Sequence, residues 1–114
     1  MEMKIEQIED GITVISLGGR MDADGTMSMD NEFIFATSMK VEKIIVDLSE
    51  VTFVASIGIR TLLSGARGQT NRGGKLVLAG PQKMVYEVLD MTGLKAFIEI
   101  YDDVESAKAA FDSE

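Results

Sequence analysis

The chain of 114 residues contains no cysteine, no histidine and no tryptophan, and it has a single proline. Without cysteine there are no disulfides and no thiolate chemistry, which is compatible with a cytoplasmic location. Without histidine the commonest general base and the commonest metal ligand are both missing, which argues against a triad hydrolase or a zinc enzyme. No Walker-type phosphate loop or dinucleotide fingerprint is present. We therefore expect no catalytic residues, no metal and no cofactor.

Basic residues are also scarce, with 11 Lys and Arg against 19 Asp and Glu, for a formal charge of −8. Nucleic acids and anionic membranes are bound chiefly by basic patches, so neither is an expected partner. No apolar run approaches the roughly 20 residues needed to cross a bilayer, so no direct membrane insertion is expected. Residues 1–6 lack the basic and apolar regions of a signal peptide. These features predict a cytoplasmic protein whose partners are other proteins.

The apolar pattern predicts the element order β-β-α-β-α-β-α-β-α. The length fits one domain of about 100–150 residues, so we expect residues 1–114 to form a single domain. Strands are predicted at 4–8, 12–17, 43–48, 76–79 and 96–101. The first helix is predicted to start at Asp22, Asp24 or Thr26 and to reach about Met39, and the second to run from Ser56 to the stop at 71–74. The third is predicted to run from Pro81 to Gly93, and the fourth to start at Asp102 or Asp103.

The connections between these elements indicate an α/β fold. Asp10 and Gly11 form a tight-turn signal between the first two strands, which predicts an antiparallel hairpin. The later strands are separated by helices, which favours parallel pairing through right-handed crossovers. We therefore expect a mixed, mostly parallel sheet packed against about four helices.

Three polar side chains are predicted at the carboxyl ends of strands, where sites in open α/β sheets tend to lie. They are Asp22, Asp47 and Ser56. A serine at the start of a helix can be an N-cap that accepts a backbone N–H, an anion-binding group or a phosphate acceptor, and the local sequence favours the cap. Capping or loop hydrogen bonding is the corresponding role for the two aspartates. Apolar residues at 51, 53 and 54 offer a partly exposed docking patch, although some of them must pack inside.

Four segments resemble one known family. The segment Ile44-Ile45-Val46-Asp47-Leu48-Ser49-x-Val51-x-Phe53-Val54-Ala55-Ser56-Ile57-Gly58 resembles the signature of STAS domains. Gly19-Arg20-Met21-Asp22 is similar to the family's Gly-x-Leu-Asp, Gly73-Gly74-Lys75-Leu76 to its turn before the fourth strand, and residues 89–94 to the end of its third helix. Within the superfamily the chain resembles the bacterial anti-sigma factor antagonists, over nearly its whole length.

The resemblance implies a regulatory switch rather than an enzyme. In that family a serine kinase that doubles as an anti-sigma factor binds the unmodified antagonist and releases its sigma factor. Phosphorylation of the serine that matches Ser56 blocks this binding, and a PP2C-type phosphatase restores it. The implied partner-binding residues are Asp22, Val54, Ala55, Ser56, Ile57, Gly58, Ile59 and Arg60.

The chain departs from the family pattern on both sides of Ser56. Many members carry Asp-Ser-Ser-Gly or Asp-Ser-Thr-Gly, whereas this chain has Ala55-Ser56-Ile57-Gly58. A second hypothesis is therefore a constitutive STAS scaffold or a transporter-associated subunit, in which Ser56 is only a helix cap. The sequence leaves both a monomer and a homodimer open.

Overall fold

The computed structural model describes residues 1–9, 11–38 and 43–113, which build one sheet flanked by helices. The strands are β1 (Glu2–Glu9), β2 (Ile12–Met21), β3 (Lys43–Val54), β4 (Lys75–Ala79) and β5 (Ile100–Tyr101). The helices are α1 (Ala23–Ser38), α2 (Ser56–Asn71), α3 (Lys83–Met91) and α4 (Val104–Asp112), with a 3₁₀ helix at Leu94–Ala96. The predicted element order is confirmed; the predicted end of α1 at Met39 lies outside the described residues.

The five strands lie in the order in which they occur in the chain. β1 and β2 are antiparallel, as predicted for the hairpin, and β2–β3, β3–β4 and β4–β5 are parallel. Gly11 has a φ of +78°, which suits a glycine in the hairpin turn, while its predicted turn partner Asp10 lies outside the described residues. The predicted mixed, mostly parallel sheet is therefore confirmed.

The two faces of the sheet are covered unequally. Helices α1, α2 and α3 pack on one face, where side chains such as Phe33, Leu62 and Leu89 join strand residues in the larger core. On the other face α4 places Ala107 and Phe111 against a smaller cluster from β2, β3 and β4. Helices α1 and α2 begin directly after the carboxyl ends of β2 and β3. The candidate site lies at this edge of the sheet.

Several strand predictions are wrong in length. β1 and β2 were predicted over 4–8 and 12–17, but they run from Glu2 to Glu9 and from Ile12 to Met21. β3 was predicted to end at residue 48, but it continues to Val54 because its pairing with β2 resumes after register shifts and ends at Met21. β5 was predicted over 96–101 and has only two residues. The amides of Phe97 and Ile98 donate to the carbonyl of Leu94, so local hydrogen bonds replace the ladder there.

One predicted helix start is wrong, and another is decided between two candidates. Pro81 does not open α3, because Gln82 is the extended N-cap residue and the helix begins at Lys83. Gly93 follows the end of that helix with a φ of +78°, in agreement with its predicted stop. Of the two candidate caps for α4, Asp103 is the one whose carboxylate accepts from the amide of Ser106, at 2.7 Å.

Candidate functional site

Two helices begin side by side at the carboxyl edge of the sheet. Met21 and Val54 are paired as the last residues of β2 and β3, and each strand leads within two residues into a helix. The amide of Ala55 donates to the carbonyl of Met21 at 2.9 Å, which joins the two strand–helix junctions. The first amides of both helices, which lack acceptors within their own helices, therefore point out at the same edge.

Ser56 is the first residue of α2, and it is not the N-cap. The cap residue is Ala55, which is extended (φ −105°, ψ 175°) and whose carbonyl accepts from the amides of Gly58 and Ile59. The Ser56 side chain is exposed and forms no hydrogen bond with any residue that the structure describes. The prediction of a capping serine is therefore wrong by one position. The hydroxyl is free at the positive end of a helix of 16 residues.

Gly58 lets the start of α2 lie directly on the strand ends. A Cβ atom at this position would lie 2.9 Å from Cβ of Met21 and 3.0 Å from Cγ2 of Val54. These atoms are close to the backbone or belong to a β-branched side chain, so they cannot move aside easily. The glycine thus sets how closely the first turn of α2, and with it Ser56, approaches the sheet.

Asp22 caps α1 and also holds a neighbouring arginine. Its Oδ1 accepts from the amide of Gly25 at 2.8 Å, and its Oδ2 lies 3.3 Å from Nε of Arg20. The Gly25 amide, and to a lesser degree Arg20, hold the pKa of the Asp22 carboxyl below its usual value. Of the three residues predicted as possible N-caps of α1, Asp22 is therefore the one observed. Its two carboxylate oxygens already have partners, the Gly25 amide in α1 and the Arg20 guanidinium in β2.

Gly25 is a residue whose role the sequence analysis missed. A Cβ atom there would overlap the carbonyl oxygen of Arg20, so only glycine fits where the first turn of α1 folds back over the end of β2. The sequence does carry a signal for this role. Gly25 lies three residues after Asp22, and the amide at that position is one that an N-cap side chain binds.

Asp47 is not brought to the site. Because β3 continues to Val54, Asp47 lies in the middle of the strand, on the order of 20 Å along it from the end. Its carboxylate accepts a hydrogen bond from the amide of Ser49 at 3.0 Å, in line with the local hydrogen bonding predicted as its alternative role. The structure therefore brings together Asp22 and Ser56 and leaves Asp47 outside.

Three of the predicted partner-binding residues do not present side chains to solvent. Val54 and Ile59 are 4% and 7% exposed, and Gly58 is buried. They face the sheet because residues 54, 58 and 59 lie on the inner side of the strand end and of the first helical turn. Ser56 and Arg60 are exposed, and Ala55 and Ile57 are half-buried. The accessible part of the predicted site is thus Ser56, Arg60 and parts of Asp22, Ala55 and Ile57.

Phe53 and Arg20, which are paired near the ends of β3 and β2, are also exposed at this edge of the sheet. Phe53 is 39% exposed, which agrees with its predicted place in a docking patch, whereas its neighbours Val51 and Val54 are buried. The guanidinium of Arg20 lies 4.3 Å from the centre of the Phe53 ring, a cation–π contact. The sequence analysis did not single out Arg20, because the partner strand that places it over the ring is distant in sequence. We call Phe53, Ser56, Ile57 and Arg60 the α2 entry surface.

The described residues contain no group of three or more acidic, histidine or cysteine side chains placed to hold a metal ion. In the same ranges, no helix has the length and apolar character needed to span a membrane. What the arrangement offers is a free hydroxyl within an exposed surface of mixed apolar and charged side chains.

Comparisons with known proteins agree on the fold. A protein of Paenibacillus polymyxa named an anti-sigma F factor antagonist is 26% identical over 112 residues, which cover 94% of this chain and 93% of the relative. The structure of SpoIIAA, an anti-sigma factor antagonist, in its unphosphorylated form superposes with a TM-score of 0.80 at 20% identity, covering 99% of this chain and 98% of that one. Its phosphorylated form, from Bacillus, gives 0.67 at 20% identity, with coverages of 96% and 99%.

The same fold occurs in transport proteins. A sulfate transporter family protein from Wolinella succinogenes matches with a TM-score of 0.76 at 18% identity, covering 92% of this chain and 88% of that one. The family model of the STAS domain matches residues 4–107, which is nearly the whole chain. The protein therefore belongs to the STAS domain family.

Proposed function

We propose that this protein is an anti-sigma factor antagonist that acts as a single STAS domain in the cytoplasm. Its unphosphorylated form binds a serine-kinase anti-sigma factor and releases the sigma factor, and phosphorylation of Ser56 prevents this binding. The observation that carries the proposal is the free, exposed hydroxyl of Ser56 in the first turn of α2. A kinase can reach this hydroxyl without unfolding the helix, and a PP2C-type phosphatase can reach its phosphate in the same way.

The position of Ser56 suits a modification that changes binding without refolding the domain. A phosphate adds roughly −1.5 to −2 charge at neutral pH, and a helix N-terminus stabilises negative charge. Because the Ser56 side chain contributes no hydrogen bond to the described fold, its modification removes no internal contact. The change is confined to the α2 entry surface, which gains bulk and charge where a partner would dock.

The α2 entry surface has the composition expected of a docking site. Phe53 and Ile57 provide apolar contact area, and Arg60 provides a cation beside the serine. Aromatic and arginine side chains contribute disproportionately to binding energy in protein interfaces. Asp22 and Arg20 lie beside this surface as a bonded pair and so add polar groups at its rim.

The direct test is incubation with the cognate kinase and ATP, followed by mass spectrometry of intact and digested protein. Wild type should acquire one phosphate on Ser56, and Ser56→Ala should acquire none. Ser64→Ala is the matched control, because Ser64 is also exposed on α2 but lies two turns further along the helix. Equal incorporation in wild type and Ser56→Ala would reject Ser56 as the phosphate acceptor.

A second candidate function is a constitutive STAS scaffold or a transporter-associated subunit. The observation that favours it is the local sequence, because Ala55 and Ile57 stand where many antagonists have an acid and a second hydroxyl. Ser56→Asp separates the two candidates: the switch predicts loss of binding to the anti-sigma factor, whereas the scaffold predicts unchanged partner affinity. Affinity capture of the unmodified protein supports the switch if it recovers a serine kinase and the scaffold if it recovers a transport complex.

A further inference from the structure

Arg60 is an exposed arginine without an acidic partner among the residues that the structure describes. This is notable in a chain with 19 acidic and 11 basic residues, where cations have many carboxylates available. Five other basic side chains do contact a carboxylate: Lys4, Arg20, Lys75, Lys95 and Lys108. The guanidinium of Arg60 is therefore free to bind an anion that the unmodified chain does not supply.

Arg60 is placed to reach Ser56. The two residues are four positions apart in α2, and both side chains are exposed. Residues with this spacing lie on one face of a helix, with their Cβ atoms about 5–6 Å apart. Side chains in a helix lean toward its N-terminus, so a guanidinium at position 60 can reach back over the first turn, where Ser56 lies. An anion at the first position and a cation four residues later is also the more favourable order for an ion pair.

We propose that Arg60 binds the phosphate of phosphorylated Ser56, an inference that rests on the modification proposed above. A guanidinium forms paired, charge-assisted hydrogen bonds with phosphate oxygens, and the free amides at the start of α2 favour the same group. Phosphorylation then changes the α2 entry surface twice. It adds a dianion, and it withdraws the cation of Arg60 from the surface that a partner would contact.

Arg20 is the competing cation, and its contacts make it the poorer candidate. Its Nε lies 3.3 Å from Oδ2 of Asp22, and its guanidinium lies 4.3 Å from the centre of the Phe53 ring. Movement to the phosphate would break the ion pair and the cation–π contact together. Arg60 has no such contact to lose in the described part of the chain.

The test is a ³¹P NMR titration of protein with phosphoserine incorporated genetically at position 56, so that no kinase is needed. Arg60→Gln should raise the second pKa of the phosphoserine by roughly 0.2–0.4 unit, the size expected for losing an exposed i, i+4 ion pair. Arg60→Lys, which keeps the charge without the paired geometry, should give a smaller rise. Arg67→Gln is the matched control, since Arg67 is also exposed and unpaired on α2 within the described residues but lies two turns beyond Arg60.

The outcomes separate this inference from the proposed function. An unchanged phosphoserine pKa in Arg60→Gln, or a rise in Arg20→Gln instead, overturns the assignment of Arg60. Binding of the phosphoserine protein to the anti-sigma factor is measured on the same samples. If binding persists while Arg60→Gln still raises the pKa, the switch is rejected and the Arg60 contact stands. If binding is lost while the pKa does not respond, the switch stands and the role of Arg60 is rejected.

Discussion

Replacing Gly58 by alanine should destabilise the protein and displace the start of α2. The added Cβ would lie 2.9 Å from Cβ of Met21, 3.0 Å from Cγ2 of Val54 and 3.2 Å from the carbonyl oxygen of Met21. All three atoms belong to the paired ends of β2 and β3, so the first turn of α2 must move away from the sheet. Ser56 moves with it, and we expect partner affinity to fall together with stability.

The expected magnitude is the difference between two opposing effects. Overpacking of a well-packed site costs about 1–3 kcal/mol, whereas replacing glycine by alanine inside a helix gains up to about 1 kcal/mol. Gly58→Ala should therefore lower the free energy of unfolding by about 1–2 kcal/mol, or the melting temperature by about 4–8 °C. Gly68→Ala is the matched control on α2, because its Cβ would meet only Arg72 at 3.4 Å and Thr37 at 3.7 Å. That variant should gain up to about 1 kcal/mol.

Urea unfolding followed by circular dichroism measures both variants against wild type. The two substitutions are chemically identical and lie on one helix, so their opposite effects on the midpoint would report the contact with Met21 and Val54. If Gly58→Ala proves as stable as Gly68→Ala, the close packing of α2 on the strand ends is refuted as the reason for this glycine.

Three further changes test other parts of the structure. Asp22→Ala should lower stability at about pH 6 and have a smaller effect at about pH 2. The pKa of Asp22 is lowered in the folded protein, chiefly by the Gly25 amide. The Asp22 carboxylate therefore stabilises the fold above its ordinary pKa of 3.8, and this stabilisation is lost as the pH falls through the lower folded value. Equal changes in the urea midpoint at both pH values would contradict this. Thr26→Val should raise the free energy of unfolding by about 1 kcal/mol, because Oγ1 of Thr26 is buried without a hydrogen-bond partner in the described part of the chain; a lower urea midpoint would count against it. Phe53→Ala should weaken binding to the anti-sigma factor about tenfold or more, as measured by calorimetry, whereas Phe35→Ala, at an exposed aromatic on α1, should leave affinity unchanged.

Much of the fold could be predicted because it depends on local patterns. The β-branched run before residue 17 and the turn signal at Gly11 were enough to predict the hairpin, and helices between the later strands were enough for parallel pairing. Strand lengths were less predictable. β3 extends to Val54 because β2 provides a paired partner across two irregularities, and β5 is short because the chain before it bonds to itself. Both results depend on hydrogen bonds that no single segment determines.

The position of the candidate site in the chain was predicted, but the hydrogen bonding of its residues was not. The resemblance pointed to Ser56 at the start of α2, and the structure has the helix beginning at that residue. The capping role failed because the amide of Ala55 bonds to the carbonyl of Met21, which keeps Ala55 extended and makes it the cap. A contact between two distant junctions therefore decided whether the hydroxyl would be bonded or free.

The sequence by itself determined the order of elements, the hairpin, the parallel arrangement and the presence of a hydroxyl where α2 begins. These follow from turn residues and from the periodicity of apolar side chains, which act over a few residues. Only the tertiary structure decided which neighbours of Ser56 reach solvent. Val54 and Ile59 are buried while Phe53 and Arg60 are exposed, because α2 packs with Gly58 against the ends of β2 and β3, and burial depends on that packing.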